Sequence, residues 1–143
     1  MNQKLKVVTK NKIPEYATKY SCGLDLYTSN LEDIVIKPNE TVMLPTDLKV
    51  EIPEGYFGAI YPRSSTGVKR KLALTNTIGI IDSDYRGEIM LAIYNFGENE
   101  QIIKHNDRLV QMVIQKYEKL EVESVETLSD TERNVGGFGS TGR

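Results

Sequence analysis

The chain has few of the residues that form covalent or metal cross-links. It contains one cysteine, Cys22, so no disulfide can form within it. It also contains one histidine, His105, so the usual Cys/His zinc sites cannot be built from its residues. Any metal ion that the protein uses must therefore be held by oxygen ligands.

The chain also lacks an excess of charge of one sign and lacks a long apolar run. Its formal net charge of -2 gives no electrostatic footprint for a nucleic-acid polymer, so we expect no DNA or RNA partner. No apolar stretch approaches the roughly 20 residues of a membrane span, and residues 1–6 lack the apolar core of a signal peptide. We therefore expect a cytoplasmic protein without a membrane partner.

Short apolar or alternating runs, separated by turn residues, fill most of the sequence. A length of 143 residues with 39% hydrophobic and 27% charged residues suits one domain with its own core. The spacing predicts an all-β, single-domain, jelly-roll-like β-barrel or sandwich. The predicted strands are residues 5–8, 24–27, 34–36, 42–44, 48–52, 56–61, 72–74, 88–94, 101–103, 109–115 and 120–125.

The character of the sequence changes after Val125. We predict a core over residues 1–125 and, over residues 126–143, a flexible polar tether followed by a glycine-rich arm. Glycine-rich termini are usually frayed ends without a task. Here, however, an arginine and a phenylalanine stand among the glycines with hydroxyls behind them. That composition suits an arm that closes over a phosphate-bearing ligand.

The most informative segment is residues 79–88, which place two aspartates, a tyrosine, an arginine and a glutamate in one glycine-bounded turn. Apolar residues lead into and out of this turn, so we predict that it joins two strands as a hairpin. Aspartates that cap the turn would explain Asp82 and Asp84. They do not explain Tyr85, Arg86 and Glu88 in the same turn.

Other polar residues have two open interpretations. The one predicted helical turn, residues 64–70, has Ser64 or Ser65 as its N-cap, and the same hydroxyls and unpaired N–H groups could bind phosphate. Gln111 lies among apolar residues, where its amide needs a partner. Arg63 and Asp107 are expected to pair with each other and brace the site.

Five segments together resemble the five ordered motifs of the homotrimeric dUTPases. They are residues 21–26 (SCGLDL), 62–67 (PRSSTG), 76–87 (NTIGIIDSDYRG), 107–111 (DRLVQ) and 133–142 (RNVGGFGSTG). Their order and spacing fit, and the third and fifth are long. The departures are small: the family often has Ala at Cys22 and Gly at Ser65 and Asn134.

The resemblance implies a homotrimer that hydrolyses dUTP to dUMP and pyrophosphate with Mg²⁺, by attack of water at the α-phosphorus. This reaction limits uracil incorporation into DNA and supplies dUMP for dTTP synthesis. Asp82 is the candidate general base, because the reaction needs an ionised acceptor for a proton of the attacking water. Asp25 is the acid expected nearest the metal ion, through water. Asp84 and Glu88 are expected to be turn and scaffold residues.

Substrate binding is likewise implied by the resemblance. Uracil is recognised by backbone groups and the Asn76 side chain, and the ring of Tyr85 against the deoxyribose leaves no room for a 2'-hydroxyl. A half-buried strand tyrosine is the alternative for Tyr85. The implied substrate-binding residues are Arg63, Ser64, Ser65, Asn76, Gly79, Ile81, Tyr85, Met90, Gln111, Arg133, Phe138, Gly139, Ser140 and Thr141.

Two rival functions stay open at this point. A dCTP deaminase shares the implied fold, but the sequence from Asp82 to Tyr85 argues against its glutamate-based chemistry. A regulatory binding protein could use dUTP-dependent ordering of the arm to engage a partner. An insert between strands would favour that role, and the sequence shows no large one.

Overall fold

A computed structural model describes residues 3–142; Met1 and Asn2 of the predicted core and Arg143 of the predicted arm lie outside the described residues. Within that range the chain forms twelve short strands and one short helix, which confirms the predicted all-β class. The elements are β1 (Lys6–Val8), β2 (Glu15–Tyr16), β3 (Gly23–Leu26), β4 (Ile34–Ile36), β5 (Thr41–Pro45), β6 (Lys49–Glu51), β7 (Tyr56–Pro62), α1 (Ser64–Val68), β8 (Leu72–Leu74), β9 (Gly79–Ile81), β10 (Met90–Asn95), β11 (Gln101–Ile103) and β12 (Val110–Lys116).

The strands pair antiparallel in four sheets of the described chain. The largest has the order β2-β3-β12-β7-β9, and a second has the order β5-β10-β8. Two-stranded pairs β1-β6 and β4-β11 complete the set. No helix within residues 3–142 is long and apolar enough to cross a membrane.

Alternation along β12 separates the core from a polar face. Val110 and Met112 are fully buried, and beside them in the register lie Leu26 of β3 and Ile60 of β7, also buried. Burial of such side chains stabilises the fold by about 1.5–3 kcal/mol each. Gln111, between the two, must point to the opposite face, because successive side chains of a strand alternate.

The predicted hairpin at residues 79–88 is wrong. β9 pairs with β7 in the five-stranded sheet, whereas β10 pairs with β5 and β8. Gly79 makes this possible, because a Cβ at that position would lie 3.1 Å from the Cβ of Ile60. Residues 82–89 therefore cross from one sheet to another.

The predicted strand at residues 120–125 is also absent. Leu120 is 81% exposed and Val122 is 95% exposed, and the segment pairs with no strand of the described chain. An alternating pattern forms a strand only where a partner supplies the hydrogen bonds. The apolar side chains of this segment are left without a covering surface in the single chain.

The short helix α1 differs in detail from the prediction. Its N-cap is Arg63 rather than Ser64 or Ser65, and the helix ends at Val68, two residues before the predicted end. No side chain caps it. Instead, the buried hydroxyl of Thr66 donates to the Leu109 carbonyl at 2.6 Å, which fixes α1 to the start of β12. The hydroxyls of Ser64 and Ser65 are not used as caps.

Candidate active site

A polar row crosses the five-stranded sheet on the face opposite the core. Register places Asp25 of β3 beside Gln111 of β12, and Gln111 beside Tyr61 of β7. Pro62 then ends β7, and Arg63 opens the connection into α1. The sheet thus brings together one group of predicted residues, which we call the sheet half: Asp25, Arg63, Ser64, Ser65 and Gln111.

Two guanidinium groups hold the carboxylate of Asp25. Its Oδ1 lies 3.2 Å from Arg63 Nε, and its Oδ2 accepts a hydrogen bond of 3.1 Å from Arg108 Nη1. Asp25 is only 5% exposed, and a buried carboxylate needs such partners. Arg63 also donates from Nη1 to the Arg108 carbonyl at 3.1 Å. Asp25 therefore fixes the side chain of Arg63 at the end of β7.

The predicted pairing of Arg63 with Asp107 is wrong. Asp107 instead pairs with Arg70 at 3.1 Å and accepts a hydrogen bond from the Lys104 backbone N–H at 3.0 Å. Arg63 pairs with Asp25 because the strand register places Asp25 closer to the start of α1. Both ion pairs still brace the site.

The donor set determines how a Mg²⁺ ion could fit. Within residues 3–142, no group of three or more His, Cys, Asp or Glu side chains could hold a metal ion. Mg²⁺ commonly keeps several waters and binds through one or two carboxylates plus substrate phosphates. This donor set fits an ion that arrives with a triphosphate and does not fit a cage built by protein side chains alone.

Gly23 makes room for the side chain of Gln111. A Cβ at Gly23 would collide with Gln111 Oε1 and would lie 3.0 Å from Gln111 Cβ. The Gln111 amide therefore lies over Gly23 of the neighbouring strand β3, two residues before Asp25. Gln111 is half-buried, and its amide pairs with no other side chain of the described range. It remains available to a ligand.

The crossing from β9 to β10 lines a separate cavity of about 210 Å³. We call the predicted residues in this region the loop half. Asp82 and Tyr85 stand on the cavity wall, with Ile81 and Met90 at the flanking strand ends. The members of the loop half are Asn76, Gly79, Ile81, Asp82, Tyr85 and Met90.

Arg86 closes the crossing loop on itself. Its Nη1 donates to the Ser83 carbonyl at 2.7 Å and to the Tyr85 carbonyl at 3.2 Å. Tyr85 is 44% exposed, and its hydroxyl donates to the Glu88 carbonyl at 2.9 Å. These contacts explain why one turn contains an arginine and a tyrosine, which turn formation alone does not require.

Asn76 lies in the turn before β9, next to Thr77, whose backbone is strained. Thr77 has a φ of 65°, in the left-handed region that β-branched residues rarely adopt. Its N–H donates to the Leu74 carbonyl at 3.1 Å, which closes the turn. Asn76 is exposed in this turn, three residues before Gly79 opens β9.

In one chain, Asp82 and the start of α1 lie apart along β7. Ile81 lies opposite Gly58, whereas α1 follows Pro62 at the other end of β7. Four residues of strand separate these positions by roughly 13 Å at about 3.3 Å per residue. The Asp82 end of the loop half and the start of α1 therefore lie toward different ends of β7, whereas Gly79, at the start of β9, lies beside Ile60.

Within residues 3–142, the arm residues make no hydrogen bond to either half. Phe138 is fully exposed, and the hydrogen bonds of the arm are internal to it. The Thr131 N–H donates to Asn134 Oδ1 at 2.8 Å, and the Asn134 N–H donates to Thr131 Oγ1 at 2.9 Å. Asn134 has a φ of 44°, a conformation that asparagine tolerates better than most residues. The remaining predicted arm residues are Arg133, Gly139, Ser140 and Thr141.

A polar lock holds β2 beside the sheet half. The Tyr27 hydroxyl donates to Glu15 Oε1 at 2.7 Å, and Lys12 Nζ lies 2.9 Å from the same oxygen. The hydrogen bonds from Tyr27 and Lys12 lower the pKa of Glu15. The stabilisation is therefore present above the unfolded-state pKa of Glu15 and is lost as pH falls through the folded-state value.

The sequence analysis assigned no role to Arg108 or Gly23 and only a scaffold role to Glu88. Arg108 completes the clamp on Asp25, Gly23 gives space to Gln111, and Glu88 accepts the hydrogen bond of Tyr85. The sequence pointed to Gly23 and Arg108 only through their positions inside the motif-like segments 21–26 and 107–111. No sequence signal distinguishes the carbonyl of Glu88.

Comparison with known proteins supports the resemblance. The dUTPase family model matches residues 9–142. A deoxyuridine 5'-triphosphate nucleotidohydrolase of Finegoldia magna is 45% identical over 141 residues, which span 97% of this chain and 99% of that protein. The deoxyuridine 5'-triphosphate nucleotidohydrolase of Rickettsia bellii is 44% identical over 131 residues, which span 92% of this chain and 87% of that protein.

Solved structures share the fold. The dUTPase of Staphylococcus bacteriophage 80alpha with dUPNHPP superposes with a TM-score of 0.91 at 28% identity, covering 99% of this chain and 100% of that one. A variant dUTPase from phage phi11 of S. aureus, described with a structural Mg(II) ion, gives a TM-score of 0.81 at 25% identity and covers 90% of this chain and 100% of its own. These likenesses confirm the predicted jelly-roll-like fold.

Proposed function

This chain belongs to the dUTPase family, and from that premise we propose that it hydrolyses dUTP to dUMP and pyrophosphate by attack of water at the α-phosphorus. The reaction limits uracil incorporation into DNA and supplies dUMP for dTTP synthesis. The observation that carries the proposal is the loop half, where an exposed carboxylate and a tyrosine ring line one cavity of about 210 Å³. Such a cavity suits a nucleoside with a reacting phosphate at its mouth.

Asp82 acts as the general base. Its side chain is exposed, and it takes part in none of the ion pairs among residues 3–142. A carboxylate that is free of cations retains its lone pairs for a water molecule. It accepts a proton from that water as the water attacks the α-phosphorus.

The sheet half binds the triphosphate. Arg63 supplies positive charge, Gln111 an amide donor, and Ser64 with Ser65 hydroxyl donors at the start of α1. Bound with the triphosphate, Mg²⁺ neutralises phosphate charge and fixes the phosphate conformation. Asp25 would hold such an ion through water, while Arg108 keeps the carboxylate in place.

The loop half binds the nucleoside. Backbone groups from Gly79 to Ile81 and the Asn76 side chain match the donor and acceptor edge of uracil. The Tyr85 ring excludes a 2'-hydroxyl, and Met90 lines the cavity beside it. The strained φ of Thr77 holds Asn76 at the tip of its turn.

The arm closes the site. Arg133 neutralises phosphate charge, and Phe138 stacks on the uracil ring. Gly139 lets the backbone approach the phosphates, and the hydroxyls of Ser140 and Thr141 donate to them. Residues 126–143 act as a flexible tether and arm, and residues 1–125 as the core.

The working enzyme is a homotrimer whose sites are shared between subunits. Asp82 follows Ile81, which lies opposite Gly58, whereas Arg63 follows Pro62 at the other end of β7, so we propose that a site containing both takes them from two subunits. Residues 126–132 could span on the order of 23–25 Å when extended, which is enough to leave their own subunit. The exposed apolar residues of 120–125 gain a covering surface in such an assembly. We place the enzyme in the cytoplasm, where the exposed thiol of Cys22 stays reduced.

The two rival functions have less support. The curated relatives are named as nucleotidohydrolases, and Asp82 on the cavity wall suits water attack on phosphorus rather than deamination. A role that is only regulatory does not require a free carboxylate at that place.

The first test is substrate choice. The enzyme should strongly prefer dUTP over dCTP, dTTP and UTP, because each wrong substrate leaves polar groups unpaired or collides with a side chain. Pyrophosphate release with all four nucleotides gives the specificity constants. Comparable constants for dUTP and dCTP would refute the assignment.

A second test concerns Gly23. In Gly23→Ala the new methyl group displaces Gln111, so kcat/KM for dUTP should fall by about 10–100-fold, the worth of one hydrogen bond to a charged group. The matched control is the same change in a Gln111→Ala background, where it should have little further effect. Losses that simply add in the double variant would show that Gly23 does not act through Gln111.

A further inference from the structure

Glu88 connects the crossing loop to the turn between β5 and β6. Its Oε1 accepts hydrogen bonds from the Thr46 N–H at 3.2 Å and the Asp47 N–H at 2.8 Å. Ile89, the next residue, is buried, and its N–H donates to the Leu48 carbonyl at 2.8 Å. The end of the crossing loop is therefore fixed to that turn at two adjacent residues.

The same residue holds the ring of Tyr85. The backbone carbonyl of Glu88 accepts the Tyr85 hydroxyl at 2.9 Å. Between them lies Gly87, over which the ring folds: a Cβ there would lie 2.5 Å from Tyr85 Cζ and 2.9 Å from Cε2. The position of the ring thus depends on the position of the Glu88 backbone.

Hydrogen bonds, rather than packing, fix that backbone on its outer side. Glu88 borders a second cavity of about 490 Å³, with Asp47, Lys10 and His105 among its other lining residues. Asp47 has a φ of 52°, so the turn that Glu88 contacts is itself in a sparsely populated conformation. Without the carboxylate, the N–H groups of Thr46 and Asp47 lose their acceptor, and the cavity beside Glu88 becomes larger.

We propose that Glu88 is a positioning residue that sets the discrimination between dUTP and UTP by fixing the Tyr85 ring against the sugar. The inference rests on the proposed function and extends it to a residue that does not touch the substrate. Loss of the carboxylate lets the end of the loop move, and the ring then gives way to a 2'-hydroxyl.

The test compares Glu88→Ala with Glu88→Gln, which keeps an acceptor oxygen. The ratio of kcat/KM for dUTP to that for UTP should fall by about tenfold or more in Glu88→Ala, chiefly because UTP becomes a better substrate. Glu88→Gln should stay near the wild-type ratio. Tyr85→Phe, which lacks the hydroxyl contact, should lower the ratio as well, and Glu88→Ala should add little to it.

Ring placement is checked without substrate. In protein with ring-labelled tyrosine, nuclear Overhauser contacts between Tyr85 and Gly87 should persist in Glu88→Gln and weaken in Glu88→Ala. The inference would be wrong if Glu88→Ala left the dUTP-to-UTP ratio of kcat/KM unchanged. It would also be wrong if kcat/KM fell equally for both nucleotides while the Tyr85–Gly87 contacts stayed intact. Neither result would affect the proposed dUTP hydrolysis by the wild-type protein. A wild-type protein that releases no pyrophosphate from dUTP would instead overturn the proposed function and the selectivity claim with it.

Discussion

In Asp82→Asn, turnover of dUTP should fall by about 10²–10⁴-fold, the contribution of a general base, while nucleotide binding survives. Asparagine keeps the shape of the side chain but cannot accept the proton of the attacking water. Asp82 forms no ion pair within the described range, so its replacement breaks none. Steady-state pyrophosphate release and calorimetric binding of a non-hydrolysable dUTP analogue measure the two effects separately.

Asp84→Asn is the matched control, because it removes the same charge from the same exposed loop. Its turnover should stay within a few-fold of wild type, since loss of one exposed charge has a small effect. If Asp82→Asn binds the analogue normally and also turns over normally, Asp82 is not the base. If both variants lose activity equally, the loop needs its negative charge and not one particular oxygen.

Mixed trimers should recover activity from two inactive parents. One parent is truncated after Glu132 and lacks the arm; the other is full-length Asp82→Asn. A site that takes Asp82 from a truncated subunit and its arm from an Asp82→Asn subunit is complete. We expect this result because Phe138 is fully exposed in the single chain, and the hydrogen bonds of the arm within residues 3–142 are internal to it.

Co-expression with two affinity tags, followed by purification and native mass measurement, isolates the mixed species. The control is a mixture of full-length Asp82→Asn with truncated Asp82→Asn, in which no complete site can form. If the mixed trimers are no more active than the parents, the arm serves the chain that supplies Asp82. The shared-site proposal would then be wrong.

Local pattern predicted most of the strands because the evidence for them is contained in a few consecutive residues. The alternation around Gln111 correctly indicated a strand with one buried face. The segment 120–125 shows the limit of such patterns. Its alternation is as clear, but it pairs with no strand within residues 3–142.

Pairing and register could not be predicted in the same way. Neighbouring apolar runs favoured a hairpin of β9 with β10, but the close fit of Gly79 on Ile60 places β9 beside β7. Likewise, Arg63 was assigned to Asp107, whereas register places Asp25 within its reach. Both errors concern contacts between residues far apart in sequence, which depend on the whole sheet.

The clamp on Asp25 also determines the local charge at this end of β7. The protein is acidic overall, with a formal net charge of -2, so its average field repels a highly anionic nucleotide. At the sheet half, two guanidinium groups share one carboxylate, which leaves one positive charge in excess at that spot. If the sheet half binds the triphosphate as proposed, this excess attracts the nucleotide to one end of β7 against the field of the rest of the surface, and added salt weakens both the local attraction and the overall repulsion.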